Sequence, residues 1–220
     1  MHIKAVRLIS GLAGGSISAL QLETLLGQAE YKGAFATGIL ENTSRVRSVA
    51  ASSTAMAAVA ASSTAMAAVA ASSTAMAAVI ANSTAMAVVA ASSTAMTAVS
   101  VSSTALGCIW ASDVAQTRIR AVQAAVDILV LSSRSALLTI TTGSATATQF
   151  VGNCILLKSK VSYGTQTDTV KTRYSNGAIT VNGSISNTAA YANIVMSFKD
   201  FAFVAGQFSY QSSYYYINCN

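Results

Sequence analysis

The stretch Ala50-Ala-Ser-Ser-Thr-Ala-Met-Ala-Ala-Val59 is one copy of a ten-residue unit that recurs in register through the middle of the chain. Its threonine and the methionine or leucine two residues later return in every copy, the threonines being Thr54, Thr64, Thr74, Thr84, Thr94 and Thr104. A diverged copy with Ser44, Val46 and Val49 precedes them. A fixed period of this kind indicates a repeat architecture, whose units bury their apolar faces only against neighbours or other chains.

Charge is absent from the repeat, because residues 48–112 contain no Asp, Glu, Lys, Arg or His. Over the whole chain charged residues make up 9%, against about 25% in an ordinary globular domain. Apolar residues make up 53% and Pro is absent. This balance is typical of a chain that hides much of its surface in an assembly.

The composition of the unit favours helix, because Ala and Met are helix formers. The Ser-Ser-Thr triplet is the part of the unit that competes with a continuous helix, since its hydroxyls can cap a helix. The spacing of Met56, Val59, Ser63 and Met66 is a heptad seam with three extra residues per unit, which predicts an overwound bundle of several chains. Residues 41–112 would then form a shaft, in which the six tandem units alone would reach about 90 Å. The alternative is a β-solenoid with ten-residue rungs, although the unit lacks the Gly, Asn or Asp of tight corners.

A neck is predicted for residues 113–134, where Ala115, Ile119, Val122, Val126 and Leu129 follow an ordinary heptad spacing. The β-branched seam favours a trimer; a lone amphipathic helix on its own domain is the alternative. The predicted oligomer interface combines the apolar positions of shaft and neck: Met56, Val59, Met66, Val69, Met76, Val79, Met86, Val89, Met96, Val99, Ile119, Val122, Val126 and Leu129.

The two ends differ from the repeat. Residues 1–40 mix Gly-rich turns with a short helical pattern and predict a docking segment. Residues 135–220 predict an antiparallel β-domain, with Asn176-Gly177 and Asn182-Gly183 as hairpin turns. A tyrosine cluster in it is expected to contact either another subunit or a receptor sugar, and consists of Tyr210, Tyr214, Tyr215 and Tyr216. The predicted fold class is therefore α+β and fibrous: repeat shaft, coiled-coil neck and β-domain.

Catalytic and cofactor chemistry is not predicted. His2 is the only histidine, so the chain cannot assemble a Ser-His-Asp triad or a histidine metal site by itself. The net charge of +6 comes from scattered cations, which argues against nucleic-acid binding. No apolar run reaches the roughly 18 residues of a membrane span. The three cysteines, Cys108, Cys154 and Cys219, are expected to be buried thiols; a Cys154–Cys219 bridge or an intersubunit bond at Cys108 is the alternative.

The passage from Glu41 to Val59, in which Glu-Asn-Thr-Ser-Arg-Val-Arg leads into Ser-Ser-Thr-Ala-Met-Ala-Ala-Val, resembles tailed-bacteriophage virion proteins with tandem Ser-Ser-Thr-Ala-Met-x-Ala-Val units. The resemblance covers about residues 41 to 110 and implies a multi-copy tail-fibre component in the virion. It implies no catalytic residues. We therefore expect a trimeric, fibre-like virion protein that contacts other virion proteins and, through its β-domain, caps the fibre or meets a host-surface glycan or protein.

A different class of protein also fits the layout. A bacterial surface adhesin or secreted stalk protein would lie at the cell surface, and the basic, apolar opening of the chain from Met1 to Leu20 would then be an export signal.

Overall fold

The computed structural model describes residues 3–140, 148–149, 153–162, 167–173, 179–186, 192–199, 201–203 and 211–219. The chain divides into two compact units, residues 1–128 and residues 129–220. The first is helical and the second contains the strands, so the α+β class is confirmed.

The helical unit is a succession of short helices. They are α1 (Ile3–Ala13), α2 (Ala19–Leu26), α3 (Ala29–Phe35), a π-helix (Ala36–Leu40), α4 (Thr43–Ala51), α5 (Ser53–Ala61), α6 (Ser63–Ala71), α7 (Ser73–Ala81), α8 (Ser83–Ala91), α9 (Ser93–Val101), α10 (Ser103–Trp110), α11 (Asp113–Arg120) and α12 (Gln123–Leu131), the last of which runs into the second unit.

A single residue separates each repeat helix from the next. Ser52 has extended backbone angles, φ −95° and ψ 112°, and closes α4 by donating its backbone N–H to the Val49 carbonyl oxygen over 3.1 Å. Its hydroxyl opens α5 by accepting a hydrogen bond from the Ala55 N–H over 3.2 Å. Because this geometry turns the chain sharply, the chain bends by 102° between α5 and α6 and by 107° between α7 and α8. The first serine of Ser-Ser-Thr is therefore both the end of one helix and the N-cap of the next.

Three such bends bring the chain round one turn of a solenoid. Each repeat helix packs against the third helix along the chain, as α5 does on α8 and α6 on α9. Cap serines also join successive turns: the Ser92 hydroxyl donates to the Ala60 carbonyl and the Ser102 hydroxyl to the Ala70 carbonyl, both over 2.6 Å. Stacked helices lie about 8–10 Å apart, so each three-unit turn advances the solenoid by roughly that distance.

The prediction that the repeat is helical is confirmed. The continuous shaft and the alternative β-solenoid are both wrong. The β-solenoid is wrong because every unit is a helix. The long shaft is wrong because its seam argument assumes a continuous helix, whereas the chain bends between the units. The extended cap residue resets the helical phase every ten residues, and successive units present the same face inward.

The predicted heptad neck is also interrupted. Ser112 caps α11 as Ser52 caps α5, and the chain breaks again at Ala121 and Val122 before α12 begins. The buried positions of α11 and α12, Ala115, Ile119, Ala125, Val126 and Leu129, keep the ten-residue register of the repeat. The repeat thus continues from Asn42, which caps α4, to Leu131. In its last two units Gln116 and Val126 replace the methionine, and Val122 replaces the cap serine of the last unit.

The first 40 residues cover the beginning of the solenoid. Helix α1 packs on α4 and α5, and α2 packs on α5 and α6. Leu8, Leu12 and Leu22 are fully buried there. The crossing of α1 with the π-helix is close, since a Cβ on Gly38 would lie 2.7 Å from the Ala5 Cβ. The predicted docking segment is therefore part of the same compact unit as the repeat.

The second unit contains two antiparallel four-stranded sheets, which confirms the antiparallel prediction. Their strands are β1 (Ser135–Ile140), β2 (Thr148–Gln149), β3 (Asn153–Ser162), β4 (Thr167–Arg173), β5 (Ile179–Ser186), β6 (Ala192–Lys199), β7 (Phe201–Phe203) and β8 (Gln211–Asn218). One sheet has the order β1-β8-β3-β6 and the other the order β2-β7-β4-β5.

The two hairpin predictions have different outcomes. Asn176-Gly177 falls in residues 174–178, outside the described residues, between the paired strands β4 and β5. Asn182-Gly183 is not a turn, because it lies within β5, where the register shifts opposite Val170 and Lys171. A glycine inside a strand commonly marks a β-bulge instead.

We expect Ser92→Ala to lower the free energy of unfolding by about 1–2 kcal/mol, because it removes an N-cap acceptor and an inter-turn donor together. Ser93→Ala, at the exposed next position, is the matched control and should change it by less than about 0.5 kcal/mol. Urea unfolding followed by circular dichroism measures both. Equal effects would show that the cap does not hold the turns together.

Candidate functional site

The predicted interface residues of the repeat lie inside the single chain. The side chains of Met66, Met76, Met86 and Met96 have no exposed surface, and Val59, Val69, Val79, Val89 and Val99 are at most 3% exposed. Ile119, Val126 and Leu129 are equally buried, whereas Val122 occupies a cap position and is half-buried. Apart from Val122, these residues are therefore buried within the single chain, because the bends give the apolar face an intramolecular partner. Their contact with other chains stays a prediction.

Gln116 occupies the position of the repeat methionine in α11 and is only 3% exposed. Its side-chain amide donates to the carbonyls of Ile109 and Trp110, over 3.1 and 3.0 Å. A buried amide that binds the last carbonyls of α10 stabilises the end of that helix. The sequence signal was available, since Gln116 lies sixty residues after Met56 in the ten-residue register.

Glu23 makes the most specific polar contact in the helical unit, and we call it with its partners the Glu23 clasp. Its carboxylate on α2 accepts hydrogen bonds from the hydroxyls of Ser62, Ser63 and Thr64 and from the Thr64 backbone N–H, at the start of α6. The Ser63 bond is 3.0 Å long. A carboxylate is favoured there because the first N–H groups of a helix lack partners within it.

These contacts alter the acidity of the carboxyl group. Hydrogen bonds, first from Ser62 and then from Thr64, lower the pKa of Glu23 from 4.5 to about 2, while partial burial acts in the opposite direction. The carboxylate is therefore charged at neutral pH. The clasp joins residues 39 to 41 positions apart, and no local pattern around Glu23 identifies it from the sequence.

The clasp is a contact between a carboxylate and the start of a helix. Its members are the Glu23 carboxylate and the hydroxyls of three adjacent residues, which hold the anion at the start of α6. It fixes the N-terminal helices to one particular repeat unit. Thus the Ser-Ser-Thr triplet serves twice in α6, as a helix cap and as a binding site for the capping segment.

The tyrosine cluster lies on a central strand, not at a sheet edge. Tyr214, Tyr215 and Tyr216 belong to β8, which pairs with β1 on one side and β3 on the other. Tyr215 and Tyr216 are half-buried, and Tyr215 lies opposite Leu137 and Lys158. Tyr210 lies outside the described residues. The structure thus brings three of the four together, and their contact with a receptor or another subunit stays a prediction.

The three cysteines are free thiols. Cys154 and Cys219 are buried, and burial followed by the neighbouring Cys154 raises the pKa of Cys219 to about 12. Cys108 is half-buried in α10, and burial raises its pKa as well. The interpretation as unreactive thiols therefore fits better than the Cys154–Cys219 bridge.

Other features of the described residues add no chemical site. No group of three or more His, Cys, Asp or Glu in that part of the chain could hold a metal ion. A surface cleft beside α1 and α3 is lined by Ile3, Lys4 and Glu30, and the latter two form an ion pair. Lys4 also lies 5.2 Å from the centre of the Tyr31 ring.

No family model matches the chain, and no curated protein matches it significantly.

In the described part of the chain no single helix is long and apolar enough to cross a membrane, although two bent pairs, α5 with α6 and α7 with α8, reach the required length and composition together.

We expect Glu23→Gln to remove a pH-dependent part of the stability. Because the folded-state pKa of Glu23 is depressed, its contribution is present above about pH 4.5 and is lost as the pH falls towards about 2. We expect a contribution of only about 1 kcal/mol at neutral pH, since the carboxylate is half exposed and screened by solvent.

Urea unfolding at several values between pH 7 and pH 2.5 measures this contribution as the difference between wild type and variant. The difference should be constant at high pH and shrink in the acid range. Glu41→Gln, at an exposed carboxylate, is the matched control for a lost charge. A Glu23→Gln curve parallel to wild type at every pH would contradict the clasp.

Proposed function

We propose that this chain is a structural component of a bacteriophage virion, in which the solenoid is a rigid spacer. The proposal is supported by the fold of the repeat: each ten-residue unit is closed by its own cap residue, a serine or Asn82, and packs on the third unit along. Adding a unit therefore adds the same increment of structure without a new kind of contact. The resemblance of residues 41 to 110 to virion proteins with similar units supports the viral setting.

The solenoid changes the expected form of that component. Six units of continuous helix would reach about 90 Å, whereas two three-unit turns of stacked helices advance by only about 16–20 Å. The predicted trimer loses its main argument as well, since the seam residues are core residues. We therefore propose a short, thick spacer, in place of a long trimeric shaft.

The N-terminal segment is proposed to attach the spacer to other virion proteins, and the β-unit to face outward. Contact of the β-unit with a host-surface glycan or protein is supported by the half-buried Tyr215 and Tyr216, whose rings combine an apolar body with a polar tip. No catalytic role is proposed for any residue.

The surface adhesin remains the second candidate, and the packing of α1 bears on it. Export signals are removed, whereas Leu8 and Leu12 of α1 are fully buried against the rest of the helical unit. Loss of α1 would uncover the apolar residues beneath it. This favours the virion component.

The spacer role predicts that whole units are interchangeable. Deletion of residues 72–81, one unit, or 72–101, three units, should leave a cooperatively folded chain, because the register of caps and core positions is restored at the junction. Deletion of residues 72–76 shifts that register by half a unit and should abolish cooperative unfolding of the helical unit. Circular dichroism with thermal and urea unfolding distinguishes them. Equal tolerance of all three deletions would contradict the proposal.

The virion role predicts that the intact chain is part of the particle. Mass spectrometry of gradient-purified particles from the encoding phage should detect peptides of both units in several copies per particle, including the peptide that begins at Met1. The host membrane fraction is the control. Absence from particles, or a cell-surface form lacking about the first twenty residues, would favour the adhesin.

A further inference from the structure

Four strands lie at the edges of the two sheets: β1 and β6 in one, β2 and β5 in the other. Exposed edges can pair with other chains, and proteins usually protect them with charge, bulges or short length. Among the described strands, two of these edges are protected. β5 carries the register shift at Asn182 and Gly183, and β6 carries Lys199 and a register shift near Val195, whose φ is +38°.

Strand β1 has none of these protections. Its sequence, Ser-Ala-Leu-Leu-Thr-Ile, contains no charge, Gly or Pro. It pairs with β8 residue for residue without a register shift. Leu137, in its middle, is 50% exposed. β1 is therefore a straight, uncharged edge of the kind that accepts another strand.

The hydrogen-bond phase shows which peptide groups are directed outward. The Asn218 N–H donates to the Arg134 carbonyl. Arg134 and every second residue after it therefore direct their backbone N–H and C=O groups towards β8. Alternate residues of an antiparallel strand bond to opposite sides, and Leu137 and Thr139 therefore direct their N–H and C=O groups away from β8. Two residues present four backbone hydrogen-bonding groups to a partner strand.

We propose that β1 pairs with β1 of a second copy, so that the two copies form an antiparallel dimer with two-fold symmetry. The charge pattern supports a second copy as the occupant. With Leu137 of one copy opposite Leu137 of the other, Arg134 lies opposite the uncharged Ile140. The two Arg134 side chains then stand at opposite ends of the paired strands.

This pairing joins two sheets into one continuous eight-stranded sheet, and the same patch serves both copies, as two-fold symmetry requires. It does not rest on the proposed virion role, because it concerns only the edge of one sheet. The pairing places an oligomer contact in the β-unit, whereas the apolar residues of the repeat form the core of the helical unit.

The test is the mass of the full-length chain by light scattering over a range of micromolar concentrations, with Thr139→Pro as the principal variant. Proline removes the outward N–H without removing a bond to β8, and edge strands tolerate it at such positions. We expect a dimer for wild type, and for Thr139→Pro a dimer Kd raised about tenfold or more. Thr139→Val keeps the N–H and is the matched control, expected to dimerise like wild type.

A second variant keeps the test decisive if proline disturbs the sheet, which circular dichroism would reveal. Leu137→Lys leaves every backbone group in place but brings two charges together across the paired strands, and it should also weaken the dimer about tenfold or more. A monomeric wild type, a trimer, or a dimer insensitive to a folded variant would each overturn the proposal. None of these results bears on whether the chain is present in phage particles.

Discussion

The hydrogen bond from the third residue of each repeat helix to the side chain of its cap residue, a serine or an asparagine, is the interaction on which the helical unit depends. The cap residue has to be extended for its side-chain oxygen to reach that N–H, and an extended residue between two helices bends the chain by about a right angle. Without the bend, ten residues of Ala, Met and Val would continue a long helix. With it, the apolar face of every unit turns inward and meets the unit three places away.

The same bend explains how a repeat without charge forms a compact core within one chain. Interior positions carry Ala, Met and Val, while Ser, Thr and Ala occupy the exposed positions around the caps. Ala allows neighbouring helices to approach closely, and Ser hydroxyls link one turn to the next, as Ser92 does with Ala60. The repeat therefore buries its apolar face without a second copy. In the proposed dimer, the second copy pairs at the β1 edge instead.

The two ends of the repeat are specialised in ways that suit a spacer. At the start, Glu23 holds the capping helices to the triplet of α6, so the first turn is covered. Towards the other end, the units lose their methionines and gain Gln116 and the charged residues of α11 before the strands begin. These changes leave the internal units alike, which is the property that a structure of adjustable length requires.

Much of the fold follows from the sequence by itself: the ten-residue period, the helical state of each unit, and the antiparallel strands of the last third. All of these depend on neighbours within a few residues. Tertiary structure decided the rest. Whether the seam faces other chains or its own chain depends on one ψ angle per unit, the Glu23 clasp joins residues 39 to 41 apart, and the place of β8 between β1 and β3 depends on pairing across the whole β-unit. Such long-range choices leave no local pattern, because the residues involved meet only after the chain has folded.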